Sequence, residues 1–225
     1  PRGAVLQGEA GGNETALIVL GGRCTIATGD RSFQDIGRRR DVWDRLPAYV
    51  LLRPPGSPYH LEAVTELHLP VAGAPATAAP PARPITPEEI VTEHRGEGQT
   101  FPDIHQPARL ILVEVYTPGG NWSSFPPHKH DTKDLLHESY LEETYYDQIR
   151  PSAGFALQWV YTADRSLDEA VAPGDGDLVL VPRGYHTVAA MPGHECYYLN
   201  VMAGPGRAWN VQVGPAYAGL MNWRK

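Results

Sequence analysis

Apolar residues in this chain fall in short runs, alternating or continuous, and each run is closed by glycine or proline. That rhythm predicts strands rather than helices. In the first part it predicts Thr15–Leu20, Arg23–Thr28, Ala48–Arg53, Tyr59–Ala63 and Glu66–Val71, separated by turns such as Gly21-Gly22, Gly29-Asp30 and Pro54-Pro55-Gly56-Ser57-Pro58. Later it predicts Arg109–Thr117, Glu142–Ile149, Phe155–Thr162, Asp177–Val181, His186–Ala190 and Tyr197–Met202. Arg109–Thr117 is apolar on both faces, as expected of a sheet packed on two sides. The core is expected from apolar strands such as Leu178–Val181. Asp131–Tyr140 is polar and reads as a loop or hairpin insertion. One helix start is visible at Thr86-Pro87-Glu88-Glu89, with Thr as N-cap, Pro at the first position and Glu three after the cap. Gly96 and Gly98 limit that helix to about two turns.

The expected class is therefore all-β, in two halves. Residues 1–84 form the first, ending in the proline-rich linker 72–84, and residues 85–225 form the second. A chain of 225 residues with 23 glycines and 22 prolines can bury a real core while turning often. A net charge of −7 without a lysine/arginine stripe speaks against a nucleic-acid partner, and Arg38-Arg39-Arg40 reads as a solvated turn. No run approaches the ~20 apolar residues that cross a membrane. No charged-then-apolar leader is visible at Pro1, and the two cysteines, Cys24 and Cys196, stand far apart. Those features fit a reducing cytosol, so the expected location is cytoplasmic. The expected partner is a small molecule, and an assembly of identical chains stays open.

The chemistry gathers at Pro126-Pro127-His128-Lys129-His130-Asp131 and at Pro182-Arg183-Gly184-Tyr185-His186. On a strand, His128 and His130 leave the same face. Leu141-Glu142-Glu143-Thr144-Tyr145-Tyr146 lies between the two segments and brings a carboxylate. Three imidazoles and one carboxylate suit a single borderline divalent ion, zinc, iron, manganese or nickel, with room for water or substrate. The order H-x-H, glutamate, then histidine after a Gly-Asp-Leu-Val-Leu-Val-Pro strand and turn resembles the ligand order of a cupin, a double-stranded β-helix or jelly-roll barrel. The first half has the rhythm of such a barrel but no H-x-H, and its proline-rich turn delivers only Tyr59-His60. The expected architecture is a bicupin whose first half is degenerate.

A closer resemblance rests on longer strings. Gly119-Gly120-Asn121-Trp122-Ser123-Ser124-Phe125-Pro126-Pro127-His128-Lys129-His130-Asp131 resembles the signature of the 5-deoxy-glucuronate isomerase family of inositol catabolism. Ser139–Glu143, Val160–Thr162, Asp164–Glu169, Val181–His186 and Tyr197–Pro205 match it as well. The resemblance implies a metal-dependent aldose–ketose isomerase converting 5-deoxy-D-glucuronate to 5-dehydro-2-deoxy-D-gluconate. It implies His128, His130, Glu143 and His186 as ligands, Glu143 rather than Glu142 by strand parity. The chain departs from the family pattern at Asp147 and Trp159, positions that bear on substrate preference. In such a reaction Asp147 is the expected base, Tyr145 the expected donor to the enediolate oxygen, and Arg183 the expected partner of the substrate carboxylate. Two other activities fit the same scaffold: a metal-dependent dioxygenase, or a sugar-binding protein without catalysis.

Overall fold

The computed structural model describes residues 1–95, 98–101, 109–134, 136–206 and 208–222. Gly96 lies outside these residues. Those residues form an all-β structure in two compact units, the first carried by Pro1–Val91 and the second by the strands from Glu93 onward.

The first unit contains β1 (Val5–Glu9), β2 (Asn13–Val19), β3 (Cys24–Thr28), β4 (Arg31–Ile36), β5 (Tyr49–Arg53), β6 (Pro58–Ala63), β7 (Val71–Pro75) and β8 (Arg83–Ile85). They make two four-stranded antiparallel sheets, ordered β1-β6-β3-β4 and β7-β2-β5-β8. Leu17, Val19, Cys24, Ile26, Leu51 and Leu61 are buried together in its core. Each such aliphatic side chain contributes about 1.5–3 kcal/mol by leaving water.

The stretch expected as a linker is structured at both ends. β7 pairs with β2, and β8 pairs with β5, so the first unit's sheet runs past residue 84. Pro84 is tolerated because β8 is an edge strand, where one row of N–H groups needs no partner. The expected strand Glu66–Val71 is displaced to β7, after Pro70. The helix start at Thr86 has its Glu89 carboxylate on the Thr86 N–H at 3.0 Å, but it closes only the 3-10 turn Pro87–Glu89. The arginine cluster is not a simple solvated turn. Arg39 is buried and donates to the carbonyls of Leu20 and Leu46, while Arg38 and Arg40 pair with Glu88 and Asp44.

The second unit begins with β9 (Glu93–Arg95), β10 (Gly98–Phe101), β11 (Leu110–Thr117), β12 (Trp122–Lys129), β13 (Asp131–Asp134), β14 (Glu138–Tyr140) and β15 (Glu142–Arg150). It continues with β16 (Ala156–Tyr161), β17 (Asp168–Val171), β18 (Leu178–Val181), β19 (Tyr185–Ala190), β20 (Glu195–Ala203) and β21 (Gln212–Val213). One sheet is ordered β18-β15-β20-β11-β10-β9, a second β17-β16-β19-β12-β21, and β13-β14 is a separate hairpin. Ile111, Val113, Ile149, Val160, Val188 and Met202, drawn from both larger sheets, share one core. β11 is buried along its whole length, as its two apolar faces require. β18 is not: Val181 faces the core, but Leu178 and Leu180 are 58% and 65% exposed, because β18 is an edge strand covered on one face only. No helix among the described residues is long and apolar enough to cross a membrane.

Candidate metal centre

The H-x-H segment reaches the interior of the second unit through an irregularity. The β12–β19 register shifts between Ser123 and His128, and Ser124 adopts a left-handed backbone with φ of 46°. After the shift His128 lies directly opposite His186, so the two imidazoles share a face. His130, just past the end of β12, is 3% exposed. β15 alternates strictly: Glu143, Tyr145, Asp147 and Ile149 are buried, whereas Glu142 is exposed. Its register with β20 runs without a break from Glu142↔Ala203 to Arg150↔Glu195, so no bulge inverts the parity.

The ligand atoms of His130, Glu143 and His186 all lie within 4.8 Å of one another, and all three residues are buried. Nε2 of His130 and Nε2 of His186 each stand 3.0 Å from the same oxygen, Oε2 of Glu143. The His128 ring lies beside them, its centroid 4.8 Å from that of His186 and 6.3 Å from that of His130, but its nitrogens are outside the tight set.

The chemistry of this donor set fits a divalent metal. Each histidine places Nδ1 against a backbone carbonyl: His128 on Pro126 at 3.0 Å, His130 on Leu141 at 3.1 Å, His186 on Gly184 at 3.1 Å. A carbonyl only accepts, so each Nδ1 carries the hydrogen, and the lone pair of the neutral ring is at Nε2, toward the cluster. His186 Nε2 is buried with no aligned hydrogen-bond partner. Burial, with His186 alongside, pushes His128 down to about 3, which keeps that ring a neutral donor. Burial by itself raises a carboxyl, but His186 and His130 outweigh it and hold Glu143 well below the usual carboxylate range. Burial likewise opposes charge on His130, and the Glu143 carboxylate overcomes it and raises that ring. Of the candidate metals' needs, two converging imidazole nitrogens and an ionised carboxylate are met.

Three further residues were expected to act on substrate, and the fold brings one to the cluster. The Tyr145 ring centroid is 6.0 Å from that of His186. Burial raises its hydroxyl well above the ordinary value, so it stays protonated. Asp147 faces inward but stands four residues from Glu143, about 13 Å along the strand. There it accepts from the Cys196 thiol at 3.8 Å, and burial pushes it up to about 7. Arg183 is exposed on its turn, away from the interior. Trp159 pairs with Thr187, on the face opposite Val160 and His186, and donates Nε1–H to Asp168.

Sequence reasoning missed two groups. Ser124 Oγ lies 3.0 Å from the Tyr145 hydroxyl and 3.2 Å from the Tyr198 hydroxyl, a chain of three exchangeable protons beside the cluster. No local pattern announces it, since a left-handed serine is what turns Oγ inward. The second group joins Lys129, at the end of the H-x-H strand, to Asp131 and Glu138, in the segment expected as a polar loop or hairpin insertion. Charged residues at alternate positions of H-K-H-D were its one signal.

The match to known proteins extends over nearly the whole chain. Residues 1–220 match the model of the KduI/IolB family. A 5-deoxy-glucuronate isomerase of Geobacillus thermodenitrificans is 48% identical over 98% of this chain and 83% of its own length. One of Bacillus subtilis is 38% identical over 92% and 80%. The crystal structure of an IolB-like protein from Salmonella typhimurium superposes with a TM-score of 0.95 at 40% identity, covering 98% of this chain and 87% of that one. An oxalate decarboxylase of Lactobacillus farciminis superposes at 0.71 with 13% identity over 98% and 78%, a likeness of fold alone and of the cupin type. By both sequence and structure, the chain belongs to the KduI/IolB family.

Proposed function

We propose that this chain is a metal-dependent isomerase that converts 5-deoxy-D-glucuronate to 5-dehydro-2-deoxy-D-gluconate. The observation that carries it is the buried convergence of His130 and His186 Nε2 on Glu143, within a chain whose relatives bear that enzyme name. His130, Glu143 and His186 would hold one divalent ion, with His128 as the fourth donor. When bound, such an ion polarises the aldehyde and its neighbouring hydroxyl, lowering the cost of an enediolate.

The protein's own groups supply the rest. The reaction moves a hydrogen from C2 to C1 and leaves the carbonyl at C2. Tyr145, held protonated by burial, would donate to the oxygen that gains charge. Ser124 and Tyr198 orient that hydroxyl and can pass a proton along their chain. Asp147 is too far along β15 to take the C2 proton from a substrate held at the cluster, and Arg183 is outside it.

We read the two units as two cupin barrels, the first without a metal. In support, the first unit also pairs two sheets, and residues 1–91 contain only His60 and His68 as imidazoles. His60 is exposed, with Nδ1 2.7 Å from the Gln7 amide.

The test is an assay of the metal-loaded protein with 5-deoxy-glucuronate, with and without oxygen, following the keto acid by NMR. Equal turnover in both atmospheres is expected. Turnover that requires oxygen, or none at all, would overturn the assignment.

A further inference from the structure

The string His128-Lys129-His130-Asp131 carries two sets of side chains. The histidines point to the cluster, and Lys129 and Asp131 meet each other, with Lys129 Nζ 2.7 Å from Asp131 Oδ1. Glu138, 5% exposed at its side chain, accepts from the same Nζ through both oxygens at 2.8 Å. It also accepts from the Asp131 N–H at 2.7 Å. The side chains of Lys129 and Asp131 are only 16% and 19% exposed, so this is a pinned cluster rather than a loose surface pair.

The free oxygen of Asp131 leads elsewhere. Oδ2 accepts the Gly184 N–H at 2.8 Å, across 53 residues of sequence. Gly184 is the turn glycine that delivers His186, at φ of 94°, and its carbonyl in turn accepts His186 Nδ1–H at 3.1 Å. A continuous path therefore runs from the Lys129–Glu138 pair to the Asp131 carboxylate, through the backbone of Gly184, to the ring of His186. Its starting residue lies between His128 and His130, the donors on the other side of the cluster.

We propose that Lys129, Asp131 and Glu138 are positioning residues that aim His186 Nε2 at the metal, with Asp131 as the tie between the two ligand-bearing segments. The proposal rests on the metal-dependent function above. Outer groups that orient a ligating histidine typically set metal affinity about 10- to 100-fold. Here the orienting carboxylate holds the N–H of the same glycine whose carbonyl the histidine uses, so losing it frees both the turn and the ring.

The experiment uses the full chain freed of metal and titrated with Co2+ alone, in competition with a chelating dye. The electronic spectrum of the cobalt protein and thermal unfolding of the metal-free protein are recorded alongside. Asp131→Ala is expected to weaken Co2+ about 10- to 100-fold and to alter the cobalt spectrum. Asp131→Asn, whose amide oxygen can still accept from Gly184, should bind more tightly than the alanine variant. Lys129→Met unpins the carboxylate but leaves its bond to Gly184, so a smaller loss with the same spectral trend is expected, and this variant decides the matter if Asp131→Ala does not fold. Wild-type affinity and spectrum in a folded Asp131→Ala or Lys129→Met variant would overturn the proposal, as would a fall in metal-free unfolding temperature with no change in affinity. A wild-type protein that binds no Co2+ would instead remove the metal reading itself, so the two failures are seen in different samples.

Discussion

Glu142 and Glu143 differ by one position and by everything that matters for the cluster. Adjacent residues of a strand point to opposite faces, and the unbroken β15–β20 register keeps Glu143 inside and Glu142 exposed. Glu143→Gln is therefore expected to lose bound metal while Glu142→Gln keeps it, as measured by elemental analysis after gel filtration. The same parity brings Asp147 inside, where burial raises it to about 7, against the small opposing effect of the Cys196 thiol. The sign follows from which state binds the proton. Below about pH 4 both states are protonated and the group is neutral to stability. Between about 4 and 7 the unfolded carboxyl ionises while the folded one does not, so stability falls as pH rises, levelling above about 7. Asp147→Asn should accordingly raise the unfolding free energy at pH 8, by on the order of a few kcal/mol, and change it little at pH 4. Urea unfolding of the metal-free protein at the two pH values checks this. Parity was legible in the residues; the 13 Å or so between Asp147 and the cluster follows from the register once the strand is known.

Turns and edges, rather than strands, decide where the chemistry ends up. Gly184 holds φ of 94°, and an added Cβ would stand 2.6 Å from the Tyr161 carbonyl oxygen. Gly184→Ala is expected to cost about 1–3 kcal/mol from backbone conformation alone, and more from that contact, which no flexible side chain can relieve. Lower thermal stability together with weaker metal binding would show it; an unchanged unfolding temperature would rule the strain out. The Pro-x-Gly turn was legible because only glycine suits such a backbone. The strands β1 and β4 were not legible. Their residues, Val-Leu-Gln-Gly-Glu and Arg-Ser-Phe-Gln-Asp-Ile, are mostly exposed and lie at the two edges of one sheet, so no alternation marks them. β18 misleads in the opposite sense, since an apolar run at an edge is buried on one side only.

At the scale of the whole chain, the expected outcome is one metal per chain, in the second unit. Dialysis against a chelator should lower the unfolding temperature, because a ligand held at about 100 times its Kd stabilises by about 2.7 kcal/mol. Two equivalents of tightly bound transition metal would contradict the first unit's lack of an H-x-H. The sequence by itself determined the all-β class and the strand rhythm, which depend on local periodicity, and its motifs singled out His130, Glu143 and His186, which the fold gathers. Only the tertiary structure decided that Ser124, Tyr145 and Tyr198 share hydroxyls and that Asp131 reaches Gly184. Those hydrogen bonds join residues 21 to 74 positions apart, and sheet register together with one left-handed serine, not periodicity, brings them within bonding distance.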